Sequence, residues 1–400
     1  MGIGNIAVSG MQAAMSNMDL ISNNIANSQT AGFKRSYANF SDLFPSGNGA
    51  GGAQIGSGVL LSSITQDFSS GSGMTRSGLS LMIGESGFFT VKDNNSGLIS
   101  YTRNGAFGVD NNGYLVTEDG TRRVQGYQAT NGTVVTGGSV TDIQASASSF
   151  PPNASTFLKY SKNLDSSSTI PTNPFSPTDT TSYNSQTSGL VYDTLGGEHT
   201  VQSYYVKTAP NAWTAYSYVD GVAALSGGTN NLTFSSGGQL TSAATLAITF
   251  APGTGAGSPQ ALNLNIGSMT QYGGKGQDKT SPETDGYQAG ILQTVTVDEQ
   301  GNLTQNFSNG KSTIAGQIAV ANFQAESNLQ NIGNASWTPT STSGAALYSA
   351  ASKLTSGQVE GSNVELTREL VDLINAQNAF QANAQSEKTF SEVMQTVTQL

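Results

Sequence analysis

The two ends of the chain carry the pattern that most limits its possible folds, because apolar side chains recur there at intervals of three and four residues. This spacing is typical of a coiled-coil seam rather than of the broad apolar face of a globular helix. Residues 362–400 also contain no glycine or proline, so one long helix is expected there. The C-terminal positions are Leu366, Leu370, Leu373, Gln377, Phe380 and Ala384, and the N-terminal positions are Ile3, Ala7, Met11, Ala14, Met18, Ile21 and Ile25.

Both seams predict helices, although of different intrinsic strength. Ser362 followed by Glu365 matches a capping box, which predicts that the C-terminal helix starts at residue 362. The N-terminal helix is expected over residues 3–27, where Gly4, Gly10 and several Asn lower its propensity, so it should need a partner surface. The two seams either pack on each other, closing one globular domain as a helical hairpin, or pack on copies of themselves. The pattern alone leaves both alternatives open.

The composition favours self-association and disfavours several kinds of partner. Only 10% of the residues are charged, against about 25% in ordinary soluble proteins, so copies of the chain repel one another little. A formal charge of −10 provides no basic footprint, and we predict no nucleic-acid partner. The absence of cysteine excludes disulfides, thiolate metal sites and cysteine nucleophiles.

The sequence also lacks the signals of membrane insertion and of a cleaved leader. No stretch reaches the ~18 consecutive apolar residues of a membrane-spanning helix. The first basic residue is Lys34, so the positively charged start of a signal peptide is missing. We therefore expect no membrane insertion, and export, if it occurs, by a route that keeps the N-terminus.

The middle of the chain predicts a mainly β fold, with one β-domain inserted into another between terminal α-helices that form a coiled coil. Short alternating runs separated by Asn and Gly predict antiparallel strands, including a hairpin centred on Asn112-Gly113 that has a near echo at residues 297–303. Neither turn has the ligand spacing of a calcium loop. The expected domains are a terminal helical domain of residues 1–27 and 362–400, a linker or extended loop of 28–70, an inner β-domain of 71–145 and 285–361, and an inserted outer β-domain of 146–284.

Nothing in the sequence predicts catalysis or a cofactor. The single histidine, His199, follows Gly196 and Gly197 and is interpreted as an exposed turn residue, and a zinc site would lack sufficient His or Cys. Residues 47–52 match G-x-G-x-x-G, but no strand precedes them and no helix follows, so we interpret them as a flexible connection. Spacing does not exclude a pair of catalytic carboxylates distant in sequence. We predict no enzyme activity, no metal and no cofactor.

Two terminal motifs closely resemble the signatures of the flagellar rod and hook axial proteins. The first is residues 22–34, Ser-Asn-Asn-Ile-Ala-Asn-Ser-Gln-Thr-Ala-Gly-Phe-Lys, and the second starts at residue 360 as Glu-Gly-Ser-Asn-Val-Glu-Leu. Shorter matches to the first β-domain of that family lie between them. The residues that carry the resemblance are Asn24, Asn27, Gly32, Phe33, Gly87, Phe88, Phe89, Arg103, Gly105, Phe107, Asn322, Phe323, Ser362, Asn363, Val364, Ile374 and Asn383.

The resemblance implies a subunit of an extracellular helical homopolymer on the bacterial flagellum. In that family the terminal helices form the inner wall of a hollow tube, which in the hook is curved and passes torque from rod to filament. The implied partners are the distal rod protein, the hook cap protein, the hook–filament junction protein and the flagellar type III export apparatus. The long insert, in which residues 191–193 and 204–207 resemble that of hook subunits, favours a hook subunit over a distal rod protein. A β-rich surface adhesin is a weaker alternative.

Overall fold

A computed structural model describes residues 3–43, 56–145, 149–226, 230–253, 255–274, 281–350 and 353–398. The G-x-G-x-x-G stretch at 47–52 lies outside these residues. Two α-helices, α1 (Ile3–Ala26) and α2 (Leu366–Thr398), frame a chain that is otherwise mainly β, which confirms the predicted fold class.

The start of α2 differs from the predicted capping box. The Ser362 hydroxyl accepts a hydrogen bond from the Val364 amide at 3.3 Å, so it closes a local turn instead of capping the helix. The first helical bond runs from the Glu369 amide to the Glu365 carbonyl, at 3.1 Å. The helix therefore begins four residues later than the sequence predicts.

The strands are short and follow one another closely along the chain. The first group is β1 Ser36–Asp42, β2 Val59–Gln66, β3 Gly73–Thr75, β4 Leu79–Ile83, β5 Phe88–Asp93, β6 Ile99–Thr102, β7 Ala106–Val109, β8 Leu115–Thr117, β9 Arg122–Thr130, β10 Thr133–Val134 and β11 Thr141–Asp142. The second group is β12 Phe157–Lys159, β13 Asn163–Asp165, β14 Ser185–Tyr192, β15 Glu198–Ala209, β16 Ala212–Val219, β17 Val222–Ala223, β18 Leu225–Ser226, β19 Asn231–Thr233, β20 Thr245–Phe250, β21 Gln260–Asn265, β22 Thr270–Tyr272 and β23 Glu283–Thr284. The third group is β24 Leu292–Val297, β25 Asn302–Phe307, β26 Ser312–Asn322, β27 Gln330–Gly333, β28 Ser336–Thr338, β29 Leu347–Ala350, β30 Leu354–Ser356 and β31 Gln358–Glu360.

Packing divides the chain into two compact units. Unit 1 comprises Met1–Ala147, Thr294–Asn306 and Ser312–Leu400, and unit 2 comprises Ser148–Gln293 and Phe307–Lys311. Unit 2 thus continues beyond the expected insert boundary at residue 284. The expected linker, residues 28–70, belongs to unit 1 and contains the antiparallel pair β1–β2, which corrects the prediction of an extended loop.

The main sheet of unit 1 runs in the order β27-β28-β6-β5-β26-β9-β8-β7-β4-β30, with further strands pairing along β9, β25 and β26. Its core contains Leu81, Phe89, Leu115, Ile143 and Ile318, all fully buried. A second cluster is aromatic, and its rings pack edge to face rather than in parallel. It consists of Phe68, Phe88, Tyr101, Phe323 and Trp337.

The predicted hairpin at Asn112-Gly113 and its downstream echo share one turn structure. Asp110 Oδ1 accepts two backbone N–H bonds at 2.8 Å, and Asp298 Oδ1 accepts the equivalent pair at 3.0 and 2.8 Å. Gly113 and Gly301 adopt φ of 83° and 79°, which glycine tolerates without steric cost. The turns are thus Asp-anchored loops rather than two-residue turns.

Unit 2 contains two five-stranded sheets that share one hydrophobic core. One sheet has the order β18-β20-β21-β12-β23, and the other β14-β15-β16-β17 with β19 on β16. Strands β20 and β21 alternate buried and exposed residues, as expected for sheets with one covered face. Trp213, Leu158 and Leu264 are among the side chains buried between the sheets.

His199 is not an exposed turn residue, so that prediction is wrong. It lies in β15, on the inward face that it shares with Val201, and only 5% of its surface is exposed. Its Nδ1 lies 2.6 Å from Asp220 Oδ2, and its Nε2 lies 3.3 Å from Asp193 Oδ2. The turn that the glycines predict ends before the histidine, and strand alternation then directs its side chain inward.

Candidate assembly site

Helices α1 and α2 pack against each other as an antiparallel pair. On α1 the buried apolar residues are Ala7, Ala14 and Ile21, which are spaced one heptad apart. On α2 the buried residues are Glu369 and Ala376. Small side chains at the contact let two helices approach closely, so the pair resembles a short coiled coil with a narrow seam.

One close steric fit and one hydrogen bond hold the register of this pair. A Cβ added to Gly10 would lie 2.7–2.9 Å from the side-chain atoms of Asn383, so the glycine makes room for that side chain. At the other end the Asn24 amide donates to Glu369 Oε2 at 3.2 Å. The two contacts are two heptads apart on both helices. A polar pair in a seam, here Asn24 and Glu369, specifies register because other alignments leave it unpaired.

The chain that follows α1 is held against the start of α2. Asn24 donates to the Ser36 carbonyl at 2.8 Å and accepts from the Ser36 amide at 3.0 Å. Arg35 forms an ion pair through Nε with Glu369 and, through Nη2, with Asp372 at 3.1 Å. Glu369 therefore neutralises Arg35 while it also accepts from Asn24, so one buried carboxylate connects three segments.

A buried ion cluster lies beside this contact. Lys34 Nζ is 2.7 Å from Glu360 Oε1, and Arg103 Nη1 is 3.3 Å from Glu360 Oε2. Burial lowers the pKa of Lys34, and the neighbouring Glu360 carboxylate partly opposes that effect. Buried ions are stable only when they are paired and hydrogen-bonded, and Glu360 also accepts from the Gly71 amide at 2.9 Å. The cluster joins the N-terminal motif, the C-terminal motif and the main sheet of unit 1, and we call this meeting point the junction.

Two further motif residues complete this junction. The Asn363 side chain accepts from the Arg35 amide and donates to the Asp67 carbonyl, both at 2.7 Å. Gly32 adopts φ of 72°, and an added Cβ would lie 2.6 Å from the Asn104 amide nitrogen. Both features require the residue types that occur there. Asn27, Phe33, Ser362 and Val364 lie nearby and are half-buried.

The motif residues between positions 87 and 107 and at 322 and 323 lie in unit 1, at close backbone contacts or in its interior. An added Cβ would lie 2.4 Å from Val320 at Gly87 and 1.8 Å from the Leu81 carbonyl at Gly105. These glycines allow close contact between neighbouring backbones. The buried side chains of this set are Phe88, Phe89, Arg103, Phe107 and Phe323, and Asn322 is half-buried.

A row of apolar side chains on α2 is left exposed by the packing of α1. We call it the outer stripe; it consists of Leu366, Leu370, Val371 and Ile374, each between 46% and 55% exposed. The helix exposes further apolar side chains, Val393, Met394 and Val397, near its C-terminal end.

Only some of the predicted seam positions therefore lie between α1 and α2. On α2 the predicted positions Leu366, Leu370 and Gln377 are exposed and do not pack on α1, so their packing on other copies stays a prediction. Leu373, Phe380 and Ala384 are half-buried. On α1 the positions Met11, Met18 and Ile25 are half-buried, and the Ile3 side chain lies outside the described residues. The apolar pattern of α2 thus serves two faces of the helix.

Sequence reasoning missed the charged residues of the junction: Lys34, Arg35, Glu360, Glu369 and Asp372. The sequence does mark these residues as unusual, because ionisable residues inside apolar motifs are rare in a chain with 10% charged residues. Their pairing was not available, since Lys34 and Glu360 are 326 positions apart.

Two properties of the described residues concern membranes and metal ions. None of their helices combines the length and hydropathy needed to cross a membrane. None of their groups of three or more His, Cys, Asp or Glu is arranged to hold a metal ion.

Family models match most of the chain. Residues 5–34 match the flagella basal body rod protein, residues 82–192 the flagellar hook protein FlgE/F/G D1 domain, and residues 163–287 the flagellar basal body protein FlaE D2 domain. Residues 355–400 match the flagellar basal body rod FlgEFG protein C-terminal region. The first and last matches contain the two terminal motifs.

Curated relatives match over the whole length. The flagellar hook protein FlgE of Salmonella typhimurium is 36% identical and that of Escherichia coli K12 is 35% identical, with 98% of this chain and 98% of each relative covered. The FlgE of Treponema pallidum is 30% identical, with 98% of each chain covered. The crystal structure of Helicobacter pylori FlgE2 aligns with a TM-score of 0.47 at 14% identity, covering 73% of this chain and all of that one. The chain therefore belongs to the flagellar hook protein family, and it is a structural component of the bacterial flagellar hook.

Proposed function

We propose that the chain polymerises into a curved, hollow tube through contacts between the outer stripe of one copy and the terminal helices of its neighbours. The observation that carries this proposal is the outer stripe itself. One face of α2 is covered by α1, yet Leu366, Leu370, Val371 and Ile374 are exposed on another face. Burying such side chains is favourable in proportion to the apolar area removed from water.

A repeated contact between unlike faces explains why a polymer forms rather than a closed dimer. The outer stripe and the α1 side of the pair are different surfaces, so copies join head to tail, and such contacts give open helical assemblies when the rotation does not close. The terminal helices then form the inner wall of the tube, which also serves as an export channel. The full-length relatives are hook proteins, and this favours a hook over a distal rod or an adhesin.

The hook passes torque from rod to filament while it bends, so contacts between neighbouring copies must adjust in every rotation. We assign this adjustment to unit 2. Its surface is rich in Ser, Thr, Asn and Gly, and hydrogen-bonding arrangements of similar energy can replace one another as neighbouring copies slide. In this role the protein is structural, and we assign it no catalytic activity.

The proposed partners are the distal rod protein at one end of the tube, and the hook cap protein and then the hook–filament junction protein at the other. The flagellar type III export apparatus delivers the chain, without cleavage of a leader, to the outside of the cell. Export through a narrow channel requires an unfolded chain. The low helix propensity of α1, with Gly4 and Gly10 in its first half, is compatible with late folding.

The experiment introduces charge into the outer stripe by the double substitution Leu370→Asp and Ile374→Asp. Both positions are exposed, so thermal unfolding of the monomer should be unchanged within about 1 kcal/mol. Electron micrographs after salting-out should show tubes for the parent and none for the variant. Asn375→Asp, an exposed position outside the stripe, adds one negative charge to the same helix and should still give tubes. Tubes from the double variant would overturn the proposal.

A further inference from the structure

The single histidine of the chain occupies an unusual position in unit 2. Both ring nitrogens of His199 face carboxylate oxygens: Nδ1 lies 2.6 Å from Asp220 Oδ2 and Nε2 lies 3.3 Å from Asp193 Oδ2. A neutral imidazole has one N–H donor and one lone pair, whereas imidazolium has two donors. Only the protonated ring can donate to both carboxylates.

The two carboxylates belong to two different turns. Asp220 forms, with Gly221, the two-residue turn between β16 and β17, and its Oδ1 accepts from the Thr200 amide at 2.8 Å. Asp193 opens the turn between β14 and β15, where its Oδ1 accepts from the amides of Leu195 and Gly197, each at 2.8 Å. His199 therefore connects the ends of two neighbouring hairpins.

We propose that His199 is a protonated clamp, which holds these two turns together while both ring nitrogens carry a proton and releases the 193–197 turn when the ring becomes neutral at higher pH. The shorter contact is to Asp220, so the remaining proton stays on Nδ1 when the ring becomes neutral. The Nε2 lone pair then faces the fully buried Asp193 carboxylate. A buried carboxylate that loses a positively charged neighbour is destabilised, and the turn that it organises becomes looser.

The surroundings of the ring favour its protonated form. Burial lowers the pKa of His199, but the hydrogen bonds and negative charges of Asp220 and Asp193 outweigh that effect and raise the pKa above 6.5. Within the described part of unit 2, these two carboxylates are the ionisable groups that face the ring. The third contact is apolar, since the Phe250 ring lies 5.3 Å away in β20.

The raised pKa of His199 makes the stability of unit 2 depend on pH. A histidine whose pKa is raised by folding contributes stability that is complete below its unfolded pKa of about 6.5. The contribution is lost as the pH rises through the folded value. The clamp should thus be closed at pH 6 and open in alkaline surroundings.

Because the chain contains one histidine, its imidazole signals in NMR spectra of the full-length monomer are unambiguous. We expect a titration midpoint above 6.5, lowered in Asp193→Asn and again in Asp220→Asn. Asp179→Asn removes an exposed carboxylate of unit 2 that bonds to Thr181 and Asn173, and it should leave the midpoint unchanged. A midpoint at or below 6.5, or one that neither substitution at the clamp alters, would overturn the proposal.

Amide hydrogen exchange tests the release itself. After correction for intrinsic rates, the Leu195 and Gly197 amides should exchange faster above the midpoint than below it, because the turn then opens more often. His199→Gln should remove this pH dependence. Equal corrected rates on both sides of the midpoint in the unsubstituted protein would show that protonation does not control the turn, whether or not the variant folds.

Discussion

Lys34 Nζ lies 2.7 Å from Glu360 Oε1, and both side chains are completely buried. Arg103 contacts the other oxygen of the same carboxylate, so two buried cations share one anion. Such a cluster contributes little net stability when intact, but breaking it is costly because a buried charge loses its partner. The junction of the two terminal motifs and the main sheet of unit 1 therefore depends on Glu360.

The first prediction concerns this carboxylate. Glu360→Gln removes the negative charge with little change of shape, and it should lower the free energy of unfolding of unit 1 by about 3–5 kcal/mol. Denaturant unfolding of the monomer measures the loss. The matched control is Glu118→Gln, whose ion pair with Arg76 is 42–58% exposed and should be worth less than about 1 kcal/mol. Equal losses in the two variants would contradict the assignment.

The second prediction concerns the close contact between the terminal helices. Gly10→Leu places a large side chain where Asn383 packs, so it should separate α1 from α2 and cost about 1–3 kcal/mol. Adding Asn383→Ala creates space and should recover part of the loss. Circular dichroism during thermal unfolding measures both. Gln12→Leu, at an exposed position of α1, is the control. Failure of the second substitution to restore any stability would show that the two residues do not share this space.

The third prediction concerns acid. Burial raises the pKa of Asp142, but hydrogen bonds from Gln125 and Arg123 and the charge of Lys92 outweigh it, so the pKa is lowered overall. A lowered carboxylate pKa contributes stability above its unfolded value of about 3.9, and that contribution is lost as the pH falls through the folded value.

Asp142→Asn should therefore cost about 1.5–3 kcal/mol at neutral pH, and the difference from the parent should shrink below pH ~4. Urea unfolding at a series of pH values measures it, with Asp19→Asn on the exposed face of α1 as the control. A difference that stays constant down to pH ~2 would contradict the role of the ionised carboxylate.

The fourth prediction concerns unit 2. Phe150 and Gly290 pair across an antiparallel bridge, with N–O distances of 2.8 and 3.0 Å, so a short glycine turn can replace residues 151–289. The shortened chain should still polymerise, because the outer stripe and the junction are retained. Its tubes should be straighter and stiffer than the parent tubes in electron micrographs. Tubes that remain curved and flexible would contradict the sliding role that we propose for unit 2.

The sequence predicts where helices and strands form more reliably than it predicts which face of each one is buried. Heptad spacing predicted both terminal helices, but it did not distinguish the inner face of α2 from the outer stripe. Glu369 and Asn383 line the inner face although neither is apolar, and their partners on α1 come from the other end of the chain. Such pairing depends on tertiary contacts, which periodicity does not contain.

His199 illustrates a second limit. The glycines before it correctly predict a turn, but whether residue 199 faces the core depends on where strand β15 starts, and a shift of one residue reverses the answer. The hairpins at Asp110 and Asp298 were easier to predict than the inward position of His199. In each turn the aspartate accepts backbone N–H bonds from residues two and four positions later.

The antiparallel arrangement of the terminal helices has a practical consequence for imaging and purification. Gly10 lies beside Asn383, so the start of α1 and the end of α2 are at the same end of the pair. A fluorescent or affinity tag fused at either terminus would crowd the helices that assemble. The exposed Asn131-Gly132 turn between β9 and β10 offers a place in unit 1 for a small label that leaves both helices unmodified.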